Sequence, residues 1–110
     1  MRYGILIYAN YYKNTHQGQN AYNLEMSEPV GFLSKINKSG TNYSVTRSPM
    51  FCKLFNTRGE ALNAINICIA VENNKMQNIT KENVTQHTFV MIMEDDIFMF
   101  SIKKEKKWEK

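Results

Sequence analysis

Residues 88–102 read TFVMIMEDDIFMFSI, in which two apolar runs flank the acidic residues 94–96. β-Branched and aromatic residues favour strands, and Asp is common in turns. The pattern therefore predicts a β-hairpin with one arm at residues 89–93 and the other at residues 97–102.

Neither arm of this hairpin alternates between apolar and polar residues. Successive side chains of a strand point to opposite faces, so both faces of the predicted hairpin are apolar. A hairpin with one face in water would alternate, and each face must therefore be covered. A helix of the same chain can cover one face. The other needs another part of the chain, a partner protein or a second copy.

The rest of the chain supplies three further strand patterns and one helix. Residues 3–12 are rich in Ile and Tyr and predict a first strand. Residues 30–36 and 42–47 predict two strands joined by a turn, whereas residues 14–23 are polar and aperiodic and predict a loop.

The helix is predicted at residues 61–73, directly after a capping box formed by Thr57 and Glu60. Its apolar stripe consists of Leu62, Ile65, Ile69 and Met76, with Ala61 and Cys68 beside it. Together these patterns predict one α+β domain at residues 1–102, a small antiparallel sheet of about five strands with one helix packed on a face. Residues 103–110 are a charged tail that need not be ordered.

Several functional classes lack a sequence signature. No Gly-rich phosphate loop, nucleophile elbow or pair of catalytic carboxylates is present, and His16 and His87 each stand alone in sequence. We interpret residues 94–96 as turn chemistry instead of a metal site, because adjacent carboxylates on a tight turn diverge. The sequence therefore predicts no enzymatic activity, cofactor or metal.

The cysteines and the apolar segments indicate the cell compartment. Cys52 and Cys68 have no metal-binding or redox spacing and are predicted to be buried free thiols. No apolar run reaches the roughly 18 residues of a membrane helix, and the first ten residues do not resemble an export signal. We therefore expect a cytoplasmic protein that does not enter the membrane.

Protein binding is the function that the sequence favours. A doubly apolar hairpin needs cover, and Met is common at adaptable binding surfaces. The expected partner is a protein, with a homodimer as the simplest assembly. The predicted interface residues are Met91, Met93, Phe98, Met99 and Phe100.

The alternative is a module that binds single-stranded nucleic acid. Residues 1–58 carry seven Lys or Arg but only two Glu, and all six tyrosines lie in this half. Aromatic faces interleaved with cations can stack bases and contact phosphates. The predicted contacts are Tyr11, Tyr12, Lys13, Lys35, Lys38, Tyr43 and Arg47.

The composition resembles that of small accessory proteins encoded by phages and mobile elements. Asn occurs 13 times and Met 7 times in 110 residues. Such proteins commonly bind and block a host component, so the resemblance implies an inhibitory partner interaction.

Overall fold

The chain folds as a four-stranded antiparallel sheet with one helix, which confirms the predicted α+β class. The computed structural model describes residues 1–15, 21–75 and 82–106. The sheet order is β3-β2-β1-β4, one strand fewer than the five predicted. The elements, in chain order, are β1 (Tyr3–Asn14), β2 (Tyr22–Ile36), β3 (Tyr43–Thr46), the 3-10 turn η1 (Pro49–Phe51), α1 (Arg58–Lys75), β4 (Asn83–Met93) and the 3-10 turn η2 (Glu94–Met99).

The second arm of the predicted hairpin is wrong, because residues 94–99 form the 3-10 turn η2 and not a strand. The three acidic residues occupy the first turn of η2, where backbone N–H groups favour negative charge. Arg2 fixes this start of the turn by donating two hydrogen bonds to the Glu94 carboxylate, at 3.0 and 2.7 Å.

The apolar run after η2 covers the sheet face opposite the helix. Ile97 is buried there with Leu6 and Phe32, and Phe100 and Ile102 pack against the same cluster. The apolar pattern on both faces of β4 is therefore explained within the chain. The predicted partner strand is in fact the second covering layer.

Helix α1 covers the other face, where it packs over β4 and β1. The capping box is confirmed, since Glu60 N donates to Thr57 Oγ1 over 3.1 Å. The predicted stripe is wrong at Leu62 and Ile69, which are 52% and 43% exposed, and Met76 lies outside the described residues. Small side chains let the helix approach the sheet closely. The buried helix residues are Ala61, Ala64, Ile65, Cys68, Val71 and Glu72.

Gly4 of β1 is required where the second covering layer meets the sheet. A Cβ atom at this position would lie 2.7 Å from Cys52 Sγ and 3.2 Å from Ile97 Cδ1. Cys52 and Ile97 therefore both pack directly on the Gly4 backbone. This contact places η1, which ends next to Cys52, beside η2, which contains Ile97.

Both cysteines are free and buried, as predicted. Burial raises the pKa of the Cys52 thiol. Burial, with the nearby charge of Glu72, raises the pKa of Cys68 to about 11. No helix in the described part of the chain is both long and apolar enough to span a membrane.

Candidate functional site

Two 3-10 turns, whose flanking or central residues Cys52 and Ile97 both contact Gly4, each expose two large apolar side chains. Met50 and Phe51 of η1 are 80% and 72% exposed, and Phe98 and Met99 of η2 are 72% and 77% exposed. We call these four residues the two-turn patch. Clustered exposed Phe and Met side chains are typical of protein-binding surfaces.

The local sequence explains why η1 presents its side chains outwards. Pro49 occupies the first turn, where its fixed φ suits a helical turn and its missing N–H is no loss. Phe51 N donates to Ser48 O and Cys52 N donates to Pro49 O, over 3.1 and 3.2 Å. Since Cys52 faces the core, the residues before it face solvent.

Turn η2 is anchored at its first residue, Glu94. Glu94 N donates to Arg2 O over 3.0 Å, next to the double hydrogen bond between the two side chains. These hydrogen bonds lower the pKa of Glu94 and raise that of Arg2. Ile97 is buried in the middle of the turn, so the two residues after it are exposed.

The five predicted interface residues differ in their exposure to solvent. Met93, Phe98 and Met99 are exposed, whereas Met91 and Phe100 are half-buried and pack against the two core clusters. Sequence reasoning missed Met50 and Phe51. The only local signal was a proline followed by two large apolar residues, which is too short to show exposure.

The outer edge of β4 continues from η2 along the side of the sheet. β4 pairs with β1 in continuous register from Asn83 to Met93, and no strand among the described residues pairs with its other side. Natural edge strands are commonly protected by Lys, Pro or a bulge. Residues 88–93 have none of these, and Val90 and Met93 are partly exposed there.

A second candidate region surrounds His87 of β4. His87 Nδ1 lies 2.6 Å from Glu72 Oε1, and Nε2 lies 2.6 Å from Glu105 Oε1. Ionised carboxylates only accept hydrogen bonds, so the protonated imidazole, which donates from both ring nitrogens, is the form that satisfies both contacts. Burial alone would lower the pKa of His87, but the hydrogen bonds to and charges of the two glutamates outweigh it and raise the pKa.

Glu72 is the buried centre of this cluster. Its Oε2 atom accepts a hydrogen bond from the Tyr43 hydroxyl over 3.0 Å and lies 3.7 Å from Lys75 Nζ. Burial would raise the pKa of Glu72, yet the hydrogen bond and charge of His87, followed by Tyr43 and Lys75, lower it overall. Burial and the same carboxylate raise the pKa of Tyr43.

Residues 103–106, which the sequence assigned to the tail, lie against the sheet, and we call them the strap. Lys103 N donates to Pro29 O over 3.3 Å, and Lys106 N donates to the Tyr11 hydroxyl over 2.8 Å. The pairing between β2 and β3 covers only residues 32–36, so the outer edge of β2 is open to the strap at Pro29. The strap therefore passes from the second covering layer to the helix face.

A groove of about 320 Å³ lies beside the strap. Its floor is apolar, and charged side chains from β3 and the strap stand around it. The residues that line it are Ile7, Val30, Val45, Arg47, His87, Lys104 and Glu105.

The predicted nucleic-acid contacts do not form one surface. Tyr11 is buried and its hydroxyl donates to Glu28 over 3.0 Å. Tyr43 packs edge-on against Phe89, with ring centroids 5.4 Å apart. Lys106 Nζ lies 5.9 Å from the ring centroid of Tyr11 and Lys75 Nζ lies 5.2 Å from that of Tyr43, so both rings already have partners within the fold.

The predicted cations are also far apart. Lys13 pairs with Asn23 at one end of β2, and Lys35 lies near its other end. Twelve residues at about 3.3 Å each separate these positions by roughly 40 Å. Lys38 lies in the turn after β2 and Arg47 directly after β3, while Tyr12, next to Lys13, is half-buried.

No group of three or more His, Cys, Asp or Glu side chains within residues 1–15, 21–75 and 82–106 is arranged to hold a metal ion. His87 contacts a carboxylate through each ring nitrogen, Glu72 through Nδ1 and Glu105 through Nε2. His16 lies outside the described residues.

Comparison of the chain with protein-family models, with curated proteins and with solved structures gives no match. The function is therefore argued from the geometry of the site.

Proposed function

We propose that this chain is a protein-binding module that associates with a second copy of itself through the two-turn patch. The observation that carries the proposal is the exposure of Met50, Phe51, Phe98 and Met99 on two neighbouring turns. Large apolar side chains that are scattered singly are normal on a protein surface. Four of them in adjacent turns, each anchored by a buried neighbour, form a preorganised apolar surface.

The free energy of burying the four side chains can be compared with the free-energy cost of association. Full burial of a Phe or Met side chain contributes about 1.5 to 3 kcal/mol, so four contribute roughly 6 to 12 kcal/mol. Association itself costs an estimated 4 to 15 kcal/mol. The patch alone is therefore marginal, and the neighbouring Met93 and the open edge of β4 add the remaining contact area.

A second copy is a suitable occupant because the patch carries no charge and can face itself. The four side chains of the patch are all uncharged, and residues 88–93 of the neighbouring edge are also uncharged. Two copies related by a twofold axis therefore bring no like charges together at these positions. Binding to a host protein, as the compositional resemblance implies, stays a prediction.

Nucleic-acid binding has less support. Tyr11 and Tyr43 are engaged within the fold, and Lys13 lies at the opposite end of the sheet from Lys35. A single strand would need one continuous groove with accessible rings, and the seven predicted residues supply neither.

The proposal is tested by size-exclusion chromatography with light scattering on the wild-type chain and on the double variant Phe98→Asp with Met99→Asp. We expect a concentration-dependent dimer for the wild type and a folded monomer for the variant, because a charge at each position must be desolvated on association. Leu62→Asp is the matched control, since Leu62 is exposed on α1. It should dimerise like the wild type. A wild-type monomer at all concentrations, or a variant that still dimerises, would contradict the proposal.

A further inference from the structure

We propose that the strap is a proton-dependent latch: the imidazolium of His87 holds Glu105, and with it residues 103–106, across the helix face, and loss of the proton releases the strap from the groove. This inference concerns a different region from the two-turn patch and does not depend on self-association.

The described contacts of the strap include one between groups of opposite charge, and Lys106 Nζ also lies 5.9 Å from the centroid of the Tyr11 ring. Two backbone N–H groups donate to neutral oxygens, Lys103 N to Pro29 O and Lys106 N to the Tyr11 hydroxyl. The hydrogen bond between His87 and Glu105, at 2.6 Å, joins opposite charges. Charge-assisted hydrogen bonds are roughly twice as strong as neutral ones, so this hydrogen bond is the strongest of the three.

A neutral imidazole cannot maintain both hydrogen bonds. It carries one N–H group, and its other nitrogen presents a lone pair to the second carboxylate. Glu72 is buried on α1 and also receives the Tyr43 hydroxyl. The Glu105 side chain is 45% exposed and can turn to water. Deprotonation therefore breaks the contact with Glu105 and leaves the contact with Glu72.

Other charged and titratable groups near His87 come from every element packed around it. The two carboxylates in direct contact, Glu72 and Glu105, favour the positive charge of His87 and outweigh its burial. The other charged and titratable groups of this region, among the described residues, are Lys75 and Cys68 on α1, Tyr43 on β3, Arg47 directly after β3, Tyr11 on β1, Glu28 on β2, and Lys104 and Lys106 on the strap.

The direction of the switch follows from the raised pKa of His87. The latch is closed at the ordinary imidazole pKa and opens as the pH rises through the raised pKa of His87. Opening removes Lys104 and Glu105 from the wall of the groove. Ile7 and Val30, which are buried in the closed form, then become accessible.

Trp108 is the chain's single tryptophan and follows the strap by two residues, so it serves as the reporter. Its steady-state fluorescence anisotropy is measured on the full chain between about pH 5.5 and 9.5. Light scattering at each pH checks that the oligomeric mass does not change, since a change in mass would also alter the anisotropy. We expect the anisotropy to fall along a single-proton titration curve with its midpoint above 6.5, the ordinary imidazole pKa.

Three variants make the measurement decisive. Glu105→Gln removes the charged partner at the exposed end, so its anisotropy should be low and flat with pH. His87→Gln should also be flat, and circular dichroism checks that it folds. Glu25→Gln, a carboxylate on β2 outside this cluster, should follow the wild type. A flat wild-type curve, or a transition that persists in Glu105→Gln, would overturn the proposal.

Discussion

His87 Nε2 lies 2.6 Å from Glu105 Oε1, and the other ring nitrogen of His87 lies 2.6 Å from Glu72 Oε1. One imidazole thus connects an edge strand, a helix and the segment that follows η2. Both hydrogen bonds are made at once only by the protonated imidazole, so the connection depends on the second ring proton of His87. The first prediction concerns the effect of this proton on stability.

His87→Gln should destabilise the fold by about 1.5 to 3 kcal/mol near pH 6.5, the range for hydrogen bonds to charged groups. Since the folded-state pKa of His87 is raised, this stabilisation is fully present below its ordinary value and is lost as the pH rises through the folded-state value. The lowered pKa of Glu72 preserves the pair until the pH falls through that carboxylate's folded-state value. Urea unfolding of both proteins at several pH values measures the difference. A difference that does not shrink in alkaline solution would contradict the account.

Gly4→Ala should destabilise the protein by about 1 to 3 kcal/mol, the usual cost of forcing extra atoms into a packed core. The new Cβ atom would lie 2.7 Å from Cys52 Sγ, which must move together with Ile97. Gly59→Ala is the matched control, because the nearest atom to its Cβ is Thr57 Oγ1 at 3.9 Å. This control should be neutral or stabilising, since Ala is the better helix former. Equal thermal stability of the two variants would refute the assigned packing.

Thr57→Ala should cost about 1 kcal/mol, because the first turn of α1 loses its capping oxygen. Glu60 N, which donates to Thr57 Oγ1 over 3.1 Å, would then have only water as a partner. Thr57→Ser retains the oxygen and should remain within a few tenths of a kcal/mol of the wild type. Chemical denaturation distinguishes the two variants, and an equal loss in both would indicate that the methyl group matters instead.

Much of the fold could be predicted from local sequence. Strand β1, the turn between β2 and β3, and the capping box at Thr57 and Glu60 are each specified by neighbouring residues, and the structure contains all of them. The buried face of α1 could not be predicted in this way. Apolar residues occur around the whole helix, and close packing on the sheet selects the small residues Ala61 and Ala64 over Leu62.

The conformation of residues 94–102 depends on tertiary contacts, which the hydrophobic pattern of the sequence does not reveal. The run is apolar enough for a strand, but Arg2 fixes the acidic start and Gly4 provides the surface on which Ile97 packs. Contacts between distant residues in the candidate site could likewise not be predicted from the sequence. Phe98 and Met99 were predicted as interface residues, whereas the partners of His87 lie 15 and 18 residues away and were not predicted.

Methionine oxidation tests whether the two-turn patch becomes buried between two copies. Dilute and concentrated protein are treated with peroxide, which converts accessible Met to the sulfoxide, and each site is quantified by mass spectrometry. We predict that Met50 and Met99 are oxidised rapidly in dilute protein and several-fold more slowly in concentrated protein. Met26, an exposed residue of β2, should be oxidised at the same rate in both. Equal oxidation of Met50 and Met99 at the two concentrations would contradict the claim.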